Sequence, residues 1–273
     1  MTLAYEVVDV FTDTAFAGNP LAVVLDAEAL STEQLQAIAR EFNLSETAFP
    51  MPAPQGATYG LRIFTPTTEL PFAGHPSVGS ASVLQRLGRI AAGPNVQACS
   101  AGLLDVLVGA DDVTLSGGAA TVGAPVEPGP LLAALGLTTA DLDGPGPQLA
   151  GAGLEWTYLL VRPQALAAIR LDTAALAALG GNGVSVSSWD GRTARNRVFP
   201  AGVGIAEDPA TGSAALGFGA YLAATGLLTD GSHEYVVEQG VEMGRPSTLR
   251  CTVDVVGGAA TGTTVTGRTV PIA

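Results

Sequence analysis

The 273-residue sequence contains no lysine; its 12 basic residues are all arginine. Without lysine there is no Schiff-base nucleophile, so an ordinary pyridoxal-phosphate enzyme and a lysine-dependent aldolase are excluded. A P-loop of the usual kind is excluded too. Cysteine is almost as scarce. Cys99 and Cys251 stand in no motif spacing, which excludes a disulfide scaffold and a zinc ribbon and is simplest to read as reduced thiols in a cytoplasm. The two histidines, His75 and His233, form no H-E-x-x-H, so no dedicated transition-metal site and no cofactor are expected. Charged residues are only 14% of the chain, and the formal net charge is −13. Such an acidic balance repels phosphate backbones and argues against nucleic-acid binding. The opening "MTLAYEVVDVF" carries Glu6 and Asp9 and no basic residue, so it reads as a strand, not a signal peptide. The longest apolar run, Ala214 to Leu228, is interrupted by Tyr221 and Thr225 and falls short of the roughly 20 residues of a membrane span. It reads as a buried core helix of a chain with no membrane association.

What is present is apolar and glycine-rich: 47% hydrophobic residues and 35 glycines without a collagen period. Valine-rich stretches bounded by turn residues, "AYEVVDVF", "NPLAVVLD", "LSETAF", "GLRIFT", "LLDVLVG" and "DVTLSG", predict strands. "STEQLQAIAREFN" predicts a helix, with Ser31 as cap, Leu35, Ile38 and Ala39 on one face, and Asn43 as stop. "TVGAPVEPGPLLAALG" holds three prolines and breaks the pattern, placing a domain boundary near Thr121. Beyond it, "TYLLVRP", "GVSVSSW", "RNRVFP", "HEYVVEQG", "STLRCTVDVV" and the tail "TTVTGRTVPIA" read as strands, and "PQALAAIRLDTAALAAL" as helix in two pieces. Short strands around a few helices indicate an α+β fold, not a doubly wound sheet.

Two stretches echo each other. "RIFTPTTELPFAGHPSVGSASVL" runs from Arg62 to Leu84, and "RVFPAGVGIAEDPATGSAALGFGAYL" from Arg197 to Leu222. Each passes from a strand through a Gly/Pro-containing turn into a helix of small apolar residues. The repeat predicts two similar halves, residues 1–120 and 121–261, with the strand at 262–273 able to return to the first. Helices made of Gly, Ala, Ser, Val and Leu can run close to a sheet wrapped around them. Their N-termini are ready anion sites, and if the halves face each other both would open into one cleft. The alternative is an old duplication whose loops are only structural.

Three residues near these loops could carry chemistry. His75, between Gly74 and Pro76, sits at a helix N-terminus, where the dipole disfavours imidazolium. Asp208 precedes the second helix, where a simple capping role competes with a catalytic one; the repeat sets it opposite Phe72, so the two copies differ chemically. Glu46 shares a strand face with Leu44 and Ala48, and burial there would raise its pKa toward neutrality; against this stands an edge-strand glutamate in water. His233, in the turn "DGSHE", has an ordinary surface reading.

The stretches "VDVFTDTAFAGNPLAVV", "NLSETAF", "RIFTPTTELPFAGHPSVG", "EDPATGSAA" and "EQGVEMGRPS" together resemble the phenazine-biosynthesis isomerase (PhzF-like) family, of diaminopimelate-epimerase-like fold. The resemblance implies two pseudo-symmetric domains, each a wrapped, mostly antiparallel, barrel-like sheet around a central helix, with the active site in the cleft between them. It implies a cofactor-free cytoplasmic isomerase, usually a homodimer. The acid/base glutamate falls on Glu46, substrate-contacting groups on His75 and Asp208, and substrate-binding positions on Gly74, Ser77, Gly212 and Ser213. Ser77 stands where threonine is usual. Relatives that invert one carbon with two cysteines look different: Ala73 and Pro209 occupy the corresponding positions, so a two-cysteine racemase is not expected. The expected reaction moves a proton between carbons of a small carboxylate-bearing substrate, dihydro-hydroxyanthranilate being the best-known candidate. The alternative is a binding protein that holds a metabolite without turnover.

Overall fold

A computed structural model describes residues 2–202 and 204–273 of the chain. They divide into two compact units, one of the residues up to Ser116 together with Val265–Ala273, the other of Gly117–Thr264. The first half of the chain forms β1 (Tyr5–Val10), β2 (Asn19–Val24), α1 (Thr32–Phe42), β3 (Glu46–Met51), β4 (Tyr59–Phe64), β5 (Glu69–Leu70), α2 (Gly74–Arg86), β6 (Gly93–Cys99), β7 (Gly102–Val108) and β8 (Asp112–Ser116). The second forms β9 (Ala120–Pro125), α3 (Pro128–Leu135), β10 (Gln148–Ala152), β11 (Glu155–Leu160), α4 (Pro163–Ala168), α5 (Thr173–Ala178), β12 (Gly183–Trp189), β13 (Thr193–Pro200), α6 (Gly212–Ala224), β14 (Gly231–Gln239), β15 (Ser247–Val256) and β16 (Ala259–Pro271).

In the first unit the sheet runs β1-β2-β3-β4-β6-β7-β8-β16 and closes on itself, because β16 pairs antiparallel with β1 through Val8↔Pro271, Asp9↔Val270 and Val10↔Thr269. The result is an eight-stranded barrel with no open edge. Helix α2 packs against β1, β2, β3, β7 and β8 of this ring and is buried from Gly74 to Leu84 except at Ser82. Only a helix of small residues fits there: a side chain at Gly79 would meet Leu21 at 2.6 Å and Val10 at 2.8 Å. The amphipathic helix α1 lies on the other face of the strands, placing Leu35 and Ala39 against Val24, Phe49 and Phe64. Ser31 caps its start as expected, and Gln34 completes a capping box; the helix stops at Asn43 in the left-handed conformation.

The second unit repeats this plan. Its strands follow the order β16-β15-β14-β13-β12-β11-β10-β9. Parallel pairings fall at equivalent places, β2–β3 and β4–β6 in one unit, β11–β12 and β13–β14 in the other. Helix α6 plays the part of α2: it packs against β9, β10, β11 and β15, and Gly212 to Ala223 are all buried. Tyr158 and Tyr235 donate their hydroxyls to the carbonyls of Ala214 and Ala215 at 2.8 and 2.7 Å, fastening the helix's first turns to β11 and β14. Helices α3, α4 and α5 cover the other face through Leu131, Leu135, Leu166 and Leu176.

Several elements depart from the expectation. "TVGAPVEPGPLLAALG" is not a break but β9 followed by α3, so Thr121 lies inside a strand. Its prolines are accommodated because Pro128 stands at the first helical position, where a missing N–H is harmless. Strand β3 begins only at Glu46, leaving Leu44 in the preceding bend, so Leu44 is not a strand neighbour of Glu46. The central helices begin ahead of their serines, α2 at Gly74, about one turn before Ser77, and α6 at Gly212, immediately before Ser213. His233 belongs to β14, not to a turn.

Close packing of α6 gives a direct test. A Cβ at Gly217 would collide with the Tyr158 hydroxyl and lie 2.9 Å from the Gly151 backbone, whereas at Gly146 it would meet nothing. Gly217→Ala is expected to destabilise the protein by about 1–3 kcal/mol, lowering the melting temperature by roughly 2–10 °C. Gly146→Ala should leave it unchanged. Calorimetry of the two variants checks this.

Candidate active site

The two loops that echo each other in sequence are held by the same device. At the end of β4, Arg62 grips Glu69 with two hydrogen bonds, Nε to Oε1 at 2.8 Å and an Nη to Oε2 at 2.7 Å. At the end of β13, Arg197 grips Glu207 at 2.8 and 2.6 Å in the same bidentate manner. Each guanidinium also lies 5.1 Å from the ring of the phenylalanine two residues on, Phe64 or Phe199. The planar fork of arginine fixes both distance and direction, so each clamp sets where the following loop delivers its helix.

In the first unit the loop delivers the start of α2. Its N-cap, Ala73, has no side chain to satisfy the first-turn N–H groups. His75 is the second helical residue and is 3% exposed. Its Nδ1 lies 3.2 Å from Nδ2 of Asn19 at the start of β2, and 3.5 Å from Oε2 of Glu46 at the start of β3. Burial pushes the His75 pKa down to about 3, against a smaller pull from the Pro20 carbonyl. At neutral pH the ring is therefore uncharged, and its contact with Glu46 is not an ion pair. Desolvation is the main cause. Strands β2 and β3 are parallel neighbours with Leu21 opposite Glu46, which brings Asn19 and Glu46 to the same end of the barrel. Because β3 lies between β2 and β4, Glu46 is not on a sheet edge; its side chain is 13% exposed.

In the second unit the equivalent loop places Asp208, Thr211 and Ser213 at the start of α6. Asp208 is 6% exposed and accepts a short hydrogen bond from the Thr211 hydroxyl at 2.5 Å. It is not the helix cap; that position is Thr211, whose side chain makes no capping bond. Fully buried Gln239 ties the loop to β14, donating to the Asp208 carbonyl at 2.8 Å and to the Thr211 hydroxyl at 2.9 Å. Ser213 accepts the indole N–H of Trp156 at 3.1 Å. Gly212 opens the helix, as Gly74 does in the first unit.

The structure thus gathers Glu46, His75 and Gly74 at one helix start, and Asp208, Gly212 and Ser213 at the other. Ser77 has a different occupation. Its hydroxyl donates to the Ala73 carbonyl and accepts from Gln97, each at 2.9 Å, and it is fully buried. It fastens the first turn of α2. Sequence reasoning did not single out Asn19, Gln239 or Trp156. Asn19 had a signal: it follows Gly18, whose φ of +68° favours glycine and whose Cβ would strike the Val10 carbonyl. Among the described residues no three His, Cys, Asp or Glu side chains converge as a metal site. Cys251 is buried and its thiol pKa is pushed up by burial, while Cys99 is half-buried on β6.

The neutral state of His75 has a thermodynamic consequence. In the unfolded chain a histidine titrates near 6.5, so between that pH and about 3 the unfolded state binds a proton that the native state refuses. The contribution of His75 to stability is complete above pH 6.5 and is lost as the pH falls. Between pH 6.5 and 5 this should amount to about 2 kcal/mol. Urea unfolding of wild type and His75→Gln at the two pH values should show that component in the wild type and not in the variant.

The family model described as phenazine biosynthesis-like protein matches residues 8–273. An uncharacterised isomerase of Mesorhizobium japonicum is 37% identical, over all of this chain and 97% of the relative. The trans-2,3-dihydro-3-hydroxyanthranilate isomerase of Pseudomonas aeruginosa is 34% identical, over 97% of this chain and 95% of the enzyme. Among solved structures, a phenazine biosynthesis protein of the PhzF family from Bacillus anthracis superposes with a TM-score of 0.89 at 24% identity, covering all of this chain and 98% of the other, which shows the shared fold. No helix among the described residues is long and apolar enough to cross a membrane. A strand-rich α+β chain with a closed eight-stranded barrel, it belongs to the phenazine biosynthesis-like, PhzF-type isomerase family.

Proposed function

We propose that this isomerase works without a cofactor, with Glu46 removing a proton from one carbon of a small carboxylate-bearing substrate and returning it to another. The observation that carries the proposal is the juxtaposition of Glu46 with a buried, neutral His75 at the start of α2. A carboxylate there can accept a carbon-bound proton as the electron pair moves into the conjugated system. The same group, now protonated, delivers that proton at the new carbon as the electrons return. One base suffices for a transfer on one face, so no cysteine pair is needed. His75 offers a hydrogen bond to a substrate oxygen on which charge develops. The electropositive starts of α2 at Gly74 and α6 at Gly212 and Ser213 suit a carboxylate. Asp208, fixed by Thr211, is suited to accept from a hydroxyl or amino group. Ser77 serves by holding the first turn of α2 in shape.

The substrate favoured by similarity is trans-2,3-dihydro-3-hydroxyanthranilate, the acid named for the Pseudomonas aeruginosa relative, or a close cyclic analogue. The test is turnover of that acid in deuterated water. Wild type should form an isomer carrying solvent deuterium at the new C–H, in part where Glu46 is shielded. Glu46→Gln keeps the shape of the side chain but cannot accept the proton, and should lose about 10²–10⁴-fold in kcat with binding retained. A Glu46→Gln variant running near the wild-type rate would move the base elsewhere. A wild type that binds the acid but never exchanges its protons would make the chain a binding protein.

A further inference from the structure

We infer that Asn19 is a positioning residue that fixes His75 as the neutral tautomer with its proton on Nε2, so that the ring faces the substrate as a donor and never as a base. The functional half of this inference rests on the isomerase reading; the tautomer itself can be read without substrate.

Nδ1 of His75 has one hydrogen-bonding position in the ring plane, and two side chains address it: the Asn19 amide nitrogen at 3.2 Å and Glu46 Oε2 at 3.5 Å. An amide nitrogen can only donate. If it donates to Nδ1, the lone pair must be there, and in a neutral ring the proton is on Nε2. The competing arrangement puts the proton on Nδ1, aimed at Glu46. It would set two donors against each other at the shorter of the two distances, unless the Asn19 amide turned over. Asn19 is fully buried, and its backbone is fixed by pairing with Val10 and by Pro20 after it. Glu46 is the more distant partner and the more exposed one.

A second observation agrees. Nε2 of His75 is buried and has no hydrogen-bond partner among the described residues. A buried N–H left open in this way is costly unless something fills its place. At the start of α2, the group that would fill it is an oxygen of a bound ligand. The assignment also separates two roles that residue identities leave open. A ring whose only free nitrogen already carries a proton cannot take one from carbon. Of the two, Glu46 remains to do so.

The test is nitrogen-15 NMR of the histidine side chains in the whole protein at pH 7. With only two histidines in the chain, a His233→Gln sample identifies the signals of His75. Wild type should show Nε2 in the protonated range and Nδ1 in the bare, lone-pair range. Asn19→Asp replaces the donor by an acceptor of the same shape. It should move the proton to Nδ1 or charge the ring, and lower kcat at least about tenfold while changing KM less. Asn19→Ser, too short to reach, should leave a mixture of tautomers and guards against misfolding of the aspartate variant. A wild-type spectrum with the proton on Nδ1 would overturn the inference, as would an unchanged His75 spectrum in a folded Asn19→Asp protein. Neither result depends on the Glu46→Gln experiment, so failure here and failure of the isomerase reading are distinguishable.

Discussion

A helix enclosed by its own sheet cannot cover its first turn with water, and that constraint governs both units of this protein. Helices α2 and α6 are buried along nearly their whole length. Their side chains must be small, and their starts must be served by groups brought from elsewhere. The Arg62–Glu69 and Arg197–Glu207 clamps bring the loops. Gln97 and Gln239, both fully buried, brace the loop ends and helix starts. What remains is a polar, electropositive start on each helix in a dry setting. There a neutral histidine is stable, and each hydrogen bond counts for more than it would in water.

Much of this was written in local sequence. The cap at Ser31, the small-residue helices and the Arg-(Ile/Val)-Phe echo are read within a few residues, and each corresponds to an element of the structure. What was not legible depends on distance. The glutamate partners of the repeated arginines lie 7 and 10 residues on, so the echo gave no matching spacing. Strand β6, "GPNVQAC", carries few of the residues that mark strands and is held by its neighbours β4 and β7. Asn19 and Glu46 both reach His75 only because β2 and β3 run parallel with α1 between them in sequence. The expectation that Glu46 lies among apolar neighbours was right about Ala48 and wrong about Leu44, because the chain turns just before the strand.

The duplicated plan did not produce duplicated chemistry. At the start of α2 stand a histidine and a nearby glutamate; at the start of α6 stand an aspartate, a threonine and a serine that receives an indole N–H. In the proposed mechanism the first set exchanges a proton with carbon while the imidazole stays neutral. The second is built of acceptors and hydroxyls held rigidly by Gln239 and Trp156, suited to orienting a molecule. The proposed isomerase chemistry centres on the first set, with Glu46 as the base beside a neutral His75.

Its most direct test is a double-mutant cycle in kcat/KM with trans-2,3-dihydro-3-hydroxyanthranilate as substrate. Glu46→Asp withdraws the base by one methylene, and His75→Gln removes the imidazole beside it. If both residues act on one substrate molecule in one transition state, the double variant should lose clearly less than the product of the two single losses, as residues that function as a unit do. A double variant whose loss equals that product would show the two residues acting independently and would contradict the account.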